Sequence, residues 1–148
     1  MIARRLSLAL IAASALAAAG CSMTGPSDSK PMSMGGEMNV PLSAKNEVPP
    51  NASTATGTAR VWLDGLTVKW TVTYSGTTGP LTAAHFHGPA AAGTNSGVVV
   101  PFTGSLASPI EGSKILTQDQ VDQLKAGLWY VNLHTAANPG GELRGQVK

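Results

Sequence analysis

Ala59-Arg-Val-Trp-Leu-Asp-Gly-Leu-Thr-Val-Lys-Trp-Thr-Val-Thr-Tyr74 is the stretch that decides the fold. Val61 and Leu63 precede Asp64-Gly65, after which Leu66, Val68, Trp70, Val72 and Tyr74 alternate with Thr67, Lys69, Thr71 and Thr73. A period of two with β-branched and aromatic residues is the pattern of strands with one buried face, and Asp-Gly between two such runs predicts a hairpin with a type I′ turn. Further strands are expected at Leu81 to His87, Gly97 to Phe102, Trp129 to His134 and Glu142 to Val147, with a weaker strand or loop at Gly104 to Gly112. One short helix, Gln118 to Ala126, is predicted from the capping-box pattern Thr117-Gln-Asp-Gln120, the apolar pair Val121 and Leu124, and the stop at Gly127. The expected fold is all-β, an immunoglobulin-like or Greek-key β-sandwich or barrel with that one helix.

Composition agrees. The 148 residues include 17 Gly and 10 Pro, too many breaks for a helical bundle, and their lack of a G-X-Y period excludes collagen. The formal charge of +2 counts Arg4 and Arg5, which fall in a segment expected to be removed; without them eight basic residues face eight acidic ones. No Lys/Arg run offers a polyanion surface, so nucleic acid is not an expected partner.

Residues 1–20 have the order of a secretion signal: Arg4-Arg5, an apolar run from Leu6 to Leu16, then small residues. The run is too short to span a bilayer comfortably. Its end, Ala18-Ala19-Gly20-Cys21, resembles a bacterial lipobox, with Ala18 where Leu is commoner. Cys21 would then be the lipidated first residue, anchoring the protein to the cell envelope, and Ser22 after it favours the outer membrane in a bacterium with two. Cys21 is the sole cysteine, so no disulfide can form within the chain. Residues 21–39 are rich in Ser, Gly, Pro and Met, and are expected to tether a domain at 40–148. Met23, Met32, Met34 and Met38 all lie there. Thioethers suit Cu(I), and Met32-Ser-Met34 with Met38 resembles the spaced methionines of periplasmic copper-handling proteins. An incidental role in a flexible tether is the plainer reading.

The three histidines fall in two predicted strands. In Ala84-His85-Phe86-His87, His85 and His87 share one face; in Trp129-Tyr-Val-Asn-Leu-His134, His134 and Asn132 lie opposite Trp129, Val131 and Leu133. Apolar faces turned inward would leave all three imidazoles outside the core, although Leu81 and Ala83 share the phase of His85. His85 and His87 leave one face of one strand, and His134 from a neighbour would complete a three-nitrogen site for copper or zinc with an open position. The alternative is that the rings hydrogen-bond loop backbone and hold the turns after each strand. No nucleophile-base motif or phosphate-binding loop occurs, and the protein is expected not to be an enzyme.

Four ordered motifs carry a family resemblance: Leu42-Ser-Ala-Lys-Asn-Glu-Val-Pro-Pro50, Ala55-Thr-Gly-Thr-Ala59, Ala83-Ala-His-Phe-His-Gly-Pro89 and Tyr130-Val-Asn-Leu-His-Thr-Ala-Ala-Asn-Pro-Gly-Gly-Glu-Leu-Arg-Gly145. Together they resemble the CHRD domain, named for chordin and common in secreted bacterial proteins, over about Val40 to Val147. That family is distantly similar to copper/zinc superoxide dismutases, which are Greek-key barrels holding copper by a His-x-His pair and further histidines. The resemblance implies copper ligands at His85, His87 and His134. It implies no complete dismutase, because no histidine is left for a copper-zinc bridge or a zinc subsite. Arg144 follows His134 through a Gly-rich loop, as a substrate-guiding Arg does there; a same-face strand pair with Glu142 is the structural alternative. Two rival functions follow: an adhesion or scaffold module that binds an envelope partner without metal, and a superoxide-handling redox enzyme.

Overall fold

The predicted hairpin forms two neighbouring strands of one antiparallel sheet in the computed structural model, which describes residues 36–148. Among the described residues there are eight strands: β1 (Met38–Ser43), β2 (Thr56–Asp64), β3 (Thr67–Ser75), β4 (Leu81–His87), β5 (Val98–Pro101), β6 (Ile110–Ile115), β7 (Trp129–Thr135) and β8 (Leu143–Val147). They pair in the order β5-β4-β7-β8-β1-β2-β3-β6. β7 returns to lie beside β4, across from β5, in the manner of a Greek key. The sheet curls into a nearly closed barrel, and the fold is all-β as its composition requires.

The hairpin turn lies one residue later than Asp64-Gly65. Asp64 pairs with Thr67, which leaves Gly65-Leu66 as the loop. Gly65 has φ +59 at the first loop position, the place a type II′ turn reserves for glycine. Asp64 thereby stays in β2, where its carboxylate meets Lys69 Nζ at 2.9 Å, and Leu66 is exposed. The weak Gly104–Gly112 segment also differs: residues 102–109 form loop, and β6 begins at Ile110. Its Ile-Glu-Gly-Ser-Lys-Ile sequence carries little period because Ile110 alone is buried. Gly112 is required at its position, since a Cβ there would lie 2.3 Å from the Trp70 indole.

Val61, Val68, Val72, Phe86, Trp129, Val131, Leu133 and Leu143 are fully buried in one core cluster. Trp70 stacks on Phe102 at 4.7 Å and meets Phe86 edge-on at 5.4 Å, a pair of geometries that aromatic quadrupoles favour. The helix α1 (Gln118–Lys125) forms where expected, with the Thr117/Gln120 capping box in place and Val121 and Leu124 buried in the core. β1 begins at Met38, inside the segment expected to be tether, and Met38 packs half-buried against the core. Cys21, Met23, Met32 and Met34, and the expected signal peptide, lie outside the described residues.

Glu142 does not pair with Arg144. It precedes β8, is fully buried, and accepts hydrogen bonds from the hydroxyls of Ser53 (2.7 Å), Thr78 (2.7 Å) and Thr135 (2.6 Å) and from the Thr78 amide (2.9 Å). Burial alone would raise its pKa, but these donors outweigh it and hold the carboxyl at about 2. An unfolded Glu titrates near about 4.3. The stabilisation from Glu142 is therefore complete above that value and is lost as pH falls toward about 2. Glu142→Gln is expected to cost on the order of 2 kcal/mol near pH 5. The gap from wild type, read by urea denaturation, should narrow as pH falls through that window; a pH-independent gap would contradict this account.

Candidate metal centre

Ala84 and Phe86 point from β4 into the core, so His85 and His87 leave its outer face. Trp129, Val131 and Leu133 do the same in β7 and turn Tyr130, Asn132 and His134 outward. The phase predicted for all three imidazoles is the one observed. Leu81, which shares it, lies beyond an irregularity in the β4–β7 register and packs half-buried at the core edge. Antiparallel pairing sets His87 beside Tyr130, His85 beside Asn132 and Ala83 beside His134, so His134 is the diagonal neighbour of His85.

The rings converge. Centroids lie 4.9 Å apart for His85–His134, 5.2 Å for His85–His87 and 6.2 Å for His87–His134. One nitrogen from each falls within 4.8 Å of the other two. Three atoms so spaced surround a point about 2.8 Å from each at most, and metal–imidazole bonds of about 2.0–2.1 Å are reached by a ring movement of under about 1 Å.

Hydrogen bonding decides which nitrogens are available. His87 Nδ1 lies 2.9 Å from the Ser96 carbonyl and His134 Nδ1 lies 3.0 Å from the Pro139 carbonyl. A carbonyl only accepts, so both rings carry their proton on Nδ1 and present a lone pair at Nε2. His87 Nε2, His134 Nε2 and His85 Nδ1 are buried without any hydrogen-bond partner. An imidazole whose far N–H is fixed by a backbone carbonyl is the usual arrangement around a bound metal. The loop-backbone bonds expected of a purely structural role are thus present on two rings, and they leave the third-face nitrogens unspent. Three neutral imidazoles form a donor set suited to copper, zinc, iron or nickel, with room for an exogenous ligand.

Desolvation is the main cause that lowers the pKa of all three rings. The charges of His134 and His87 lower His85 further, to about 4. His85 is therefore neutral well below the ordinary histidine range, and the lowered values of His87 and His134 favour the neutral form that a metal requires.

The outer face of β7 is nearly as buried as its inner face, which the sequence did not indicate. Tyr130 stacks on His87 with centroids 4.8 Å apart and planes 4° from parallel, and the Arg144 guanidinium carbon sits 3.5 Å over the same ring. Arg144 is 2% exposed and donates to Asn95 Oδ1 (2.7 Å) and the Thr94 carbonyl (2.6 Å). The Ser96 amide donates to the Tyr130 hydroxyl at 3.1 Å. Arg144 and Tyr130 thus hold the 94–96 loop whose Ser96 carbonyl orients His87. Arg144 is separated from His87 by the Tyr130 ring, so the substrate-guiding position implied by its place after His134 is not the one it occupies. Beside it, Asn132 Nδ2 donates to Glu47 Oε1 at 2.6 Å. Burial raises the Glu47 carboxyl to about 7 against the opposing effects of that bond and of Arg144. Gly141 comes so close that a Cβ would lie 2.6 Å from both Asn132 Nδ2 and Glu47 Oε1. The alternating polar residues of Tyr130-Val-Asn-Leu-His134 read as a solvated face, and a backbone carbonyl such as that of Ser96 leaves no sign in the sequence.

Fold and site define an antiparallel barrel domain that carries a cluster of three neutral histidines outside its core. The CHRD domain model matches residues 38–147, nearly all of the described chain, and the protein belongs to that family. No curated protein and no solved structure matches the chain.

Because the neutral ring is the folded-state form, protonation of His85 opposes folding as pH falls from about 6.5 toward about 4. Side-chain NMR is expected to show His85 titrating near pH 4, with His87 and His134 in the Nδ1–H tautomer at neutral pH. A His85 midpoint at the ordinary value of about 6.5 would refute the desolvated geometry.

Proposed function

We propose that this is a lipid-anchored bacterial cell-envelope protein whose CHRD domain binds a transition metal, copper first among the candidates, through His85, His87 and His134. The observation that carries the reading is the trio of unpartnered buried nitrogens, His85 Nδ1, His87 Nε2 and His134 Nε2, in rings whose ligand atoms lie within 4.8 Å of one another. Leaving three polar atoms buried and unbonded costs about 1–3 kcal/mol each, a cost that a metal ion would offset. Binding rather than catalysis is the role proposed, because no nucleophile-base motif accompanies the three rings. A copper-dependent superoxide rate far above that of free copper would move the protein to the redox class.

Met32 and Met34 are proposed as accessory soft ligands that pass Cu(I) to the domain. Met38 suits this less well, since it packs against the core. Cys21 is the proposed membrane attachment, placing the domain at the envelope surface, in the outer membrane if there are two. No helix among the described residues is long and apolar enough to cross a membrane. A second reading, a metal-free adhesion or scaffold module, draws on the His87–Ser96 and His134–Pro139 bonds, which tie loops to strands.

Titration of the mature domain with Cu(II) and Cu(I) separates them. One ion per domain is expected for wild type, and His85→Ala/His87→Ala should bind at least about a hundredfold more weakly while keeping its barrel circular dichroism. Equal, weak binding by both would leave the scaffold reading. Met32→Leu/Met34→Leu should reduce Cu(I) transfer alone. Cys21→Ser is expected to abolish fatty-acid labelling and release the protein from the membrane fraction; membrane retention without labelling would disprove the anchor.

A further inference from the structure

On the far side of the Tyr130 ring from His87, a cleft of about 440 Å³ opens between β1, β8 and the turn at Ala44–Asn46. Arg144 lines it, with Lys45 on its rim and Pro41, Ala92 and Gly93 supplying apolar wall. Arg144 is almost wholly buried, yet among the described residues no carboxylate oxygen comes within 4.0 Å of its guanidinium; the ion pairs there are Arg60–Glu37 and Lys69–Asp64. Glu47, the acid that shares the cleft, is engaged by Asn132 instead. Only two of the five N–H donors of Arg144 are bonded among the described residues, to Asn95 and Thr94. A buried guanidinium without an acid partner is costly, and its planar fork matches a carboxylate.

A residue of the cleft wall also carries an unused acceptor, buried behind the surface. Gln146 lines it and donates through Nε2 to the carbonyls of Ala90 (2.9 Å) and Gly127 (2.8 Å), which fixes the orientation of the amide. Its Oε1 is buried with no donor. A ligand that satisfies both ends must bring anionic oxygens and an O–H or N–H.

We infer that this cleft is a second binding site, separate from the histidine cluster, for a small carboxylate that carries a hydrogen-bond donor, a hydroxy or amino acid. The carboxylate meets Arg144 and Lys45, and the donor meets Gln146 Oε1. Burial holds part of the Glu47 population protonated at neutral pH, which lessens the repulsion an anion would meet. The site needs no metal, so its fate does not depend on the reading of the histidines.

The test is an amide-NMR titration of the metal-free mature domain at constant ionic strength with L-malate, with succinate, which lacks the hydroxyl, and with inorganic phosphate. Malate is expected to give saturable shifts at Lys45, Gly93 and Gln146, and succinate to bind about fivefold more weakly. Lys45 is exposed, so Lys45→Glu should fold normally and bind malate at least about tenfold more weakly. Gln146→Glu should weaken malate similarly by setting a like charge beside the ligand. The inference is overturned if no saturable shift appears, if Lys45→Glu binds like wild type, if succinate equals malate, or if phosphate binds more tightly than malate.

Discussion

β7 is buried on both faces, and the molecule is organised around that constraint. Its inward side chains, Trp129, Val131 and Leu133, join the barrel core, while its outward ones, Tyr130, Asn132 and His134, lie beneath loops. A strand covered on one side by a sheet curling back on itself and on the other by irregular chain must satisfy every polar group it hides. Asn132 does so with Glu47 and the Leu143 carbonyl, Thr135 with Glu142, and His134 with the Pro139 carbonyl. The second layer is therefore polar and specific where the first is apolar and space-filling. The atoms it leaves unsatisfied stand out because so many others are bonded.

Two carboxylates in that layer have opposite fates. Glu142 is surrounded by hydroxyl donors and remains ionised; Glu47 receives one strong side-chain donor and is pushed toward neutrality. Neither is an ion-pair partner of Arg144, whose stabilisation comes from the Tyr130 face and from loop oxygens. Hydrogen bonds and stacking, not salt bridges, fasten the loops; the two ion pairs among the described residues are on the exposed surface, where such pairs contribute little. This distribution suits a domain with few charged residues and no disulfide.

Residues whose periodicity follows burial were legible in the sequence. The hairpin, the capped helix and the phase of the three histidines all rest on alternation or on capping chemistry, and each lies where that chemistry places it. The turn at Gly65-Leu66 was misplaced by one residue because one glycine can serve either of two turn types. β6 was hidden by its polar, glycine-containing sequence, and β1 by its position at the end of a Ser/Pro/Met-rich run. The convergence of the histidines could be anticipated only as a shared face, since the register that sets His134 diagonal to His85 is a property of strand pairing. The stack of His87, Tyr130 and Arg144 joins three strands and is invisible to any local pattern.

The pairing of β1 with β8 has a kinetic meaning. Ser43 faces Arg144 across the ladder, and the Asn46 side chain bonds the Arg144 carbonyl over a separation of 98 residues. The two halves of the sheet, β5-β4-β7-β8 and β1-β2-β3-β6, meet at that seam alone among their paired strands. Closing so long a loop carries an entropic cost before any contact repays it, and folds built on such pairings form slowly. β1, β2 and β3 can assemble as a meander around the hairpin while the rest of the chain is still being made, but the sheet becomes one object only when β8 arrives. The cleft between β1 and β8 therefore forms only in that late event, whereas the histidine cluster needs only the pairing of β4 with β7.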